Sequence, residues 1–341
     1  MNHLNQNILQ ACSQEICNSS FIYPGGYSSK FKIQLNPEIR SDEAAKIILR
    51  ALLQTIKINE SNIKKDLNTE FLHDFRVAVR RTRTALGQIK SVFSQETTRK
   101  FKKNLAFVGK LTNQLRDLDV FLLKENTYKN SLPIALKDDI SPLFEYLKKV
   151  RLNALQEVIT QLESKKYLQI MQNWETFINK PQLNSPMASM AKVPIIDLAK
   201  KRIFKQYRSI VKAGSQIIDN MDEEKLHALR IKCKKLRYMM EFFSSLFPSQ
   251  KIKFLIKQLK KLQNNLGNFN DMHVQEEHLM YFALELPATD LKAKKTLIAI
   301  GSLIGTLNKK RQIFKDTFPQ TFKNFAAPQN EKTFSDLFVP K

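Results

Sequence analysis

From Glu38 onward, apolar residues in this 341-residue chain recur at the spacing of one helix face. Ile47, Ile48, Ala51, Leu52 and Ile56 define a first helix, which a polar stretch at Asn59–Asn62 ends. A second helix is predicted over Thr69–Phe93, with Thr69 as N-cap and Phe71, Phe75, Val79, Leu86, Ile89 and Phe93 on its apolar side. A third covers Thr98–Asn126. Pro133 and Pro142 bracket the start of a fourth, Ser141–Glu163, and a shorter helix, Tyr167–Phe177, carries Trp174 as a core anchor. The proline-containing stretch 181–194 has little periodicity and reads as a linker. The pattern then restarts. Helices are predicted over Ile195–Ile218, from a cap at Asp219 or Asp222 to Phe247-Pro248, over Ser249–Leu284 and over Asp290–Phe318, with Pro319 ending the last. The organisation expected is an irregular extension 1–37, a first helical half 38–180, the linker 181–194, a second half 195–325 and a tail 326–341.

Composition supports an all-α protein. Only 8 glycines occur, so turns are few and a Gly-rich nucleotide loop is not expected. An apolar content of 43% with mean hydropathy −0.35 indicates a folded chain rather than a disordered one. No apolar run is long enough for a transmembrane helix, and MNHLNQNILQ lacks the features of a secretory signal, so a cytosolic protein is expected. The cysteines are Cys12, Cys17 and Cys233, an odd number that suits a reducing compartment. No second pair at zinc-like spacing follows Cys12 and Cys17, and Cys233 falls on an apolar face. No metal site and no cofactor are expected.

Charge adds the most specific signal. The chain has 56 Lys+Arg against 32 Asp+Glu, a net +24, which attracts anions such as nucleic acid, an anionic membrane or a phosphate polymer. Much of the excess lies in two segments, LHDFRVAVRRTR from Leu72 and LHALRIKCKKLR from Leu226. His73 matches His227 (227 − 73 = 154), and at that offset Arg76 matches Arg230, Arg80 matches Lys234, Arg81 matches Lys235 and Arg83 matches Arg237. Positions i, i+3, i+7 and i+10 of a helix share an arc of about 80°. Arg81 and Lys235 lie off that arc, at its rim. Neither Phe75–Gln95 nor Lys225–Met240 contains an acid, so these are not ordinary solvated faces of mixed sign. The offset continues: Phe101 matches Leu255, Leu105 matches Leu259, Leu115 matches Phe269 and Asp117 matches Asp271. A duplicated helical unit follows, two four-helix bundles related by a pseudo-two-fold that brings the basic helices together.

The segments LHDFRVAVRRTRTALGQIKSVF and LHALRIKCKKLRYMMEFF resemble the two signature helices of the CHAD domain, the conserved histidine α-helical domain. RDLDVFL and LQNNLGNFND resemble further motifs of that family, and the likeness covers residues 38–325. It implies two antiparallel helical bundles around a basic central cavity that binds inorganic polyphosphate without catalysis, often at polyphosphate granules. Phosphate or sulfate would act as mimics. The residues implied are His73, Arg76, Arg80, Arg81 and Arg83, with His227, Arg230, Lys234, Lys235 and Arg237; the same likeness suggests Arg151 and Lys260. Asn113 stands where the family's first half usually has Gly, and Asn270 stands opposite Arg116 in the second copy. The ExExK signature of the CYTH domain often fused to this family is not found, so a stand-alone binding module is implied.

The residue types suit that ligand. A phosphate chain offers oxygens and charge but no bases, and Arg forks and Lys ammoniums meet both demands. From His73 to Arg83 the stripe extends about 15 Å, enough for several phosphates. Asp117 and Asp271 are expected to orient the basic residues through ion pairs. Imidazoles among cations are pushed toward neutrality, and a bound anion reverses this, so His73 and His227 are expected to take up protons on binding unless each is held neutral by a carboxylate. Nucleic acid is the runner-up partner, disfavoured because the stripes carry Tyr238 as their one aromatic neighbour. An enzyme acting on phosphate chains would need a carboxylate cluster or a nucleophile, and none stands out.

Overall fold

The computed structural model describes residues 32–180, 188–218, 220–286 and 290–339, and residues 33–341 make up one compact unit. Its described residues contain helices and no strands. The first half holds α1 (Ser41–Ile63), α2 (Thr69–Gln88), α3 (Gln95–Leu111), α4 (Asn113–Leu123), α5 (Glu125–Ser131), α6 (Ser141–Glu163) and α7 (Lys165–Asn179). The second holds α8 (Ile195–Ile218), α9 (Glu223–Phe242), α10 (Ser249–Glu285), α11 (Leu291–Phe325) and α12 (Pro328–Phe338). None of these helices is long and apolar enough to cross a membrane.

The apolar periodicity becomes the core. Leu72, Phe75, Val79 and Leu86 of α2 are all buried, and so are their counterparts at the 154-residue offset, Leu226, Leu229, Cys233 and Met240 of α9. The same holds for Leu105 with Leu259, Val108 with Leu262 and Leu115 with Phe269. The helix pairings recur as well. α1 packs on α2 and α8 on α9; α3 packs on α2 and α10 on α9; α4 packs on α6 and α10 on α11. In addition, α2 packs directly on α9. Trp174 is fully buried among Phe101 and Phe177, as its place on α7 predicts.

Several expected boundaries move, for local reasons. The cap of α2 is Asn68 rather than Thr69, because the Asn68 carboxamide oxygen accepts from Glu70 N at 2.8 Å. That helix stops at Gln88, before Phe93, and Ser91 follows with φ 64°. The predicted third helix is broken twice, at Thr112 and Lys124, whereas its counterpart α10 runs unbroken for 37 residues. Asp222 caps α9 by accepting from Lys225 N; Asp219, the alternative, lies outside the described residues. α9 itself ends at Phe242, and a single 3-10 turn, Ser244–Leu246, separates it from Phe247-Pro248. Residues 181–187 of the linker are likewise outside, but Met190 N bonds Ser91 O and Ser41 N bonds Val193 O, so its later part is tied to the ends of α1 and α2. Of the irregular extension, residues 1–31, with Cys12 and Cys17, lie outside the described residues; Leu35 is buried and donates its N–H to Ser245.

The largest correction concerns the C-terminus. α11 runs through Pro319 to Phe325, and the expected tail beyond it contains a further helix, α12. An interior proline costs a helix about 3 kcal/mol. Phe318, Phe322 and Phe325 are buried around it, each worth about 1.5–3 kcal/mol, so packing outweighs propensity. The Phe322 ring also explains Gly214 on α8: a Cβ there would lie 1.9 Å from Cε2 of that ring.

Candidate functional site

The site forms where α2 and α9 pack together. Two hydrogen bonds cross the joint. Arg80 Nε donates to the Tyr238 hydroxyl at 2.9 Å, and Arg81 Nη2 reaches Glu241 at 2.7 Å. Glu241 also holds Arg237 from its own helix at 3.1 Å. One carboxylate thus serves both Arg81 and Arg237, while the Tyr238 ring lies 5.5 Å and 5.1 Å from their guanidinium carbons.

His73 sits at the centre of the cations. Burial, then Arg116, Arg80, Arg76 and finally Lys234 push its imidazole down to about 3, far below the ordinary 6.5. Lys234 is pushed down to about 7 by burial, then by Arg230 and Arg80, against the pull of Asp271. These two lists connect the stripes: Lys234 of α9 acts on His73 of α2, and Arg80 of α2 acts on Lys234. The field is positive from both sides, and it disfavours further positive charge until an anion enters.

The two copies are held differently. Arg76 Nη1 donates to Gly109 O, Thr112 Oγ1 and Asn113 Oδ1 at 2.8–3.1 Å. The break between α3 and α4 supplies those acceptors, so Asn113 serves as a hydrogen-bond partner at the position where the family usually has Gly. Burial brings Arg76 down to about 10, still charged at neutral pH. Arg230 instead pairs with Asp271 at 3.0 Å, and its buried Nε has no partner among the described residues. Asp117 makes the corresponding approach to Arg76 through charge alone; burial raises its pKa against the influence of His278, Arg76 and Arg116.

The histidines diverge most. His73 is half-buried, whereas His227 is exposed and its Nδ1 lies 2.6 Å from Asn270 Oδ1. The partner of His227 is therefore an amide, not one of the carboxylates considered from sequence. The residues that act on them differ at the 154-residue offset: Arg116 on α4 acts on His73, whereas Asn270 on α10 bonds His227 (270 − 116 = 154).

Other expected residues lie apart from this centre. Arg83 is exposed at the end of the stripe. Lys235 faces away, toward Lys102, Lys232 and Lys90, and burial followed by those three lysines lowers its pKa. Arg151 is clamped by Asp66 at 2.6 Å and Asp119 at 2.7 Å, which raise its pKa and satisfy its charge. Lys260 is exposed on α10.

Three residues of the site were not singled out from sequence. Arg116 is half-buried beside His73, and its buried Nη1 has no partner among the described residues. The RDLDV segment held it in plain sight, but no counterpart marked it in the second copy. Tyr238 was noted as a neighbour of the stripe, and Glu241 ends the acid-free run by one residue.

Among the described residues the protein is all-helical, with cations from two packed helices gathered around His73. The chain belongs to the CHAD domain family, whose model matches residues 47–280. Solved structures agree in fold. The crystal structure of the CHAD domain from the plant Ricinus communis has a TM-score of 0.72 and 23% identity, covering 86% of this chain and 95% of its own. PptA from Streptomyces chartreusis has a TM-score of 0.61 and 15% identity, covering 83% of this chain and 99% of its own. No curated protein sequence matches the chain.

Proposed function

We propose that this protein binds inorganic polyphosphate, without catalysing a reaction, between α2 and α9. The observation that carries this reading is that His73 and Lys234 are both depressed, by burial first and then by cations drawn from two helices that pack on each other: Lys234 of α9 acts on His73, and Arg80 of α2 acts on Lys234. Cations held this close, with the buried Nη1 of Arg116 and Nε of Arg230 unpartnered among the described residues, leave a need for negative charge that a phosphate chain fills. Membership of the CHAD family supports the same ligand. We read the paired burial and recurring helix contacts as an internal duplication, two helical bundles around one basic cavity, with α5, α7 and α12 added to the four-helix plan.

Within the site, His73, Arg76, Arg80, Arg116, Arg230 and Lys234 are assigned to the phosphate chain. Arg81 and Arg237 hold the helices together through Glu241 and contribute at the edge. Arg83 and His227 extend the track outward. Lys235, Lys260 and Arg151 are peripheral, the last because Asp66 and Asp119 already neutralise it.

The test is binding of labelled long-chain polyphosphate at one fixed salt concentration, with duplex DNA and inorganic triphosphate as competitors. Duplex DNA is expected to compete poorly per phosphate, and the double reversal Arg76→Glu, Arg230→Glu to abolish binding in a folded protein. Equal displacement by DNA, or full affinity in the double variant, would remove the proposal.

A further inference from the structure

A separate basic face lies on α8, sharing no residue with the site between α2 and α9. Lys201, Lys205, Arg208 and Lys212 are spaced i, i+4, i+7 and i+11, which places them within an arc of about 60° along about 16 Å of helix. All four are exposed, and none forms an ion pair with another described residue. Asp197, at the first turn, is the one acid of α8.

Beside this stripe is a groove of about 350 Å³ lined by Lys201, Phe204, Lys205, Arg208 and Phe338. Phe338 of α12 is fully buried and forms part of its apolar wall, while Phe204 is half-buried with its ring 6.3 Å from that of Tyr207. The lining thus combines three cations with one partly exposed phenyl ring, Phe204, backed by the buried ring of Phe338, and contains no carboxylate. An inorganic phosphate chain has no use for the ring. A purely apolar partner has no use for three unpaired charges. A ligand that alternates phosphates with flat rings uses both: the cations follow its backbone and a base lies against Phe204.

We infer that this groove binds single-stranded nucleic acid, one base against Phe204 and flanking phosphates on Lys201, Lys205, Arg208 and Lys212. Recognition is by stacking and charge, so it is tolerant of sequence and sensitive to salt. Polyphosphate binding between α2 and α9 is not required for it.

The experiment measures fluorescein-labelled dT12 and labelled long-chain polyphosphate, separately, on the full chain at one salt concentration. Phe204→Leu keeps the apolar bulk and removes the ring; it is expected to weaken dT12 about tenfold. The double variant Lys205→Glu, Arg208→Glu is expected to weaken it at least as much. Both are expected to keep wild-type helicity and polyphosphate affinity within about twofold. The inference is overturned by absence of dT12 binding to the wild type or by an unaltered affinity in Phe204→Leu. It is overturned equally by equal loss of polyphosphate affinity in that variant, or by dT12 binding that is lost in Arg76→Glu, Arg230→Glu and kept in Lys205→Glu, Arg208→Glu.

Discussion

Arg80 Nε donates to the Tyr238 hydroxyl at 2.9 Å, so a hydrogen bond to a neutral phenol joins the two basic helices beside the Arg81–Glu241 pair. Tyr238 is almost fully buried, and its ring also supports Arg81 and Arg237. Like charges on facing helices repel, and the phenol, with Glu241, offsets that repulsion locally.

Tyr238→Phe isolates the hydroxyl. The ring and its cation contacts stay, while Arg80 loses its acceptor. A hydrogen bond to a charged group contributes about 1.5–3 kcal/mol, so a loss of that order is expected from the urea unfolding midpoint at constant slope. An unchanged midpoint would show that the bond does not hold the helices together.

If polyphosphate binds as proposed, Lys234 rather than His73 is expected to govern the pH dependence of binding near neutrality. In the free protein Lys234 titrates at about 7, well below the usual lysine range, so it is largely neutral at pH 8. A bound polyanion favours the ammonium and raises this value. Binding at pH 8 therefore takes up a proton, and affinity falls as pH rises from about 7 through the bound-state value. His73 starts from about 3 and adds uptake only in the window above that. Calorimetry at pH 8 in two buffers of different ionisation heat is expected to show uptake in the wild type and much less in Lys234→Arg, which stays charged. No uptake in the wild type contradicts the assignment.

The C-terminal helix is part of the core. Phe334 is fully buried and stacks on Tyr207, with ring centroids 3.8 Å apart and planes 13° from parallel. Phe334→Ala is expected to cost about 3–5 kcal/mol, read from chemical denaturation. A cost below about 1 kcal/mol would mean that α12 is dispensable for stability.

Helical periodicity exposed nearly all of the fold because apolar faces and buried faces coincide: Phe75, Val79 and Leu86 are buried where the pattern puts them. Proline punctuation misled at Pro319, where three buried phenylalanines outweigh a lost backbone bond. The breaks at Thr112 and Lys124 were invisible because no proline or glycine marks them. At the site, the offset of 154 found both stripes, since charge without acids is a local signal. Arg116 escaped because its significance is tertiary: it matters through its nearness to His73, and the neutral Asn270 opposite it in the second segment gave no repeated charge to mark it.

That asymmetry yields the most discriminating test of the site. Arg116 is the strongest charge acting on His73, exceeded only by burial. Arg116→Asn makes the first copy resemble the second and removes this influence, so the His73 imidazole is expected to titrate above about 3, though still below 6.5 because burial remains. Arg116→Lys keeps a positive charge near the ring and is expected to leave His73 depressed, while losing the fork that spans two phosphate oxygens. The two variants therefore separate field from fit. If Arg116 contacts the ligand, both lose polyphosphate affinity, Asn by about tenfold or more as a charge-assisted bond of about 1.5–3 kcal/mol disappears, and Lys by less. Imidazole titration by NMR reads the first effect and equilibrium binding the second. A His73 titration identical in Arg116→Asn and wild type, with unchanged affinity, would place Arg116 outside the site.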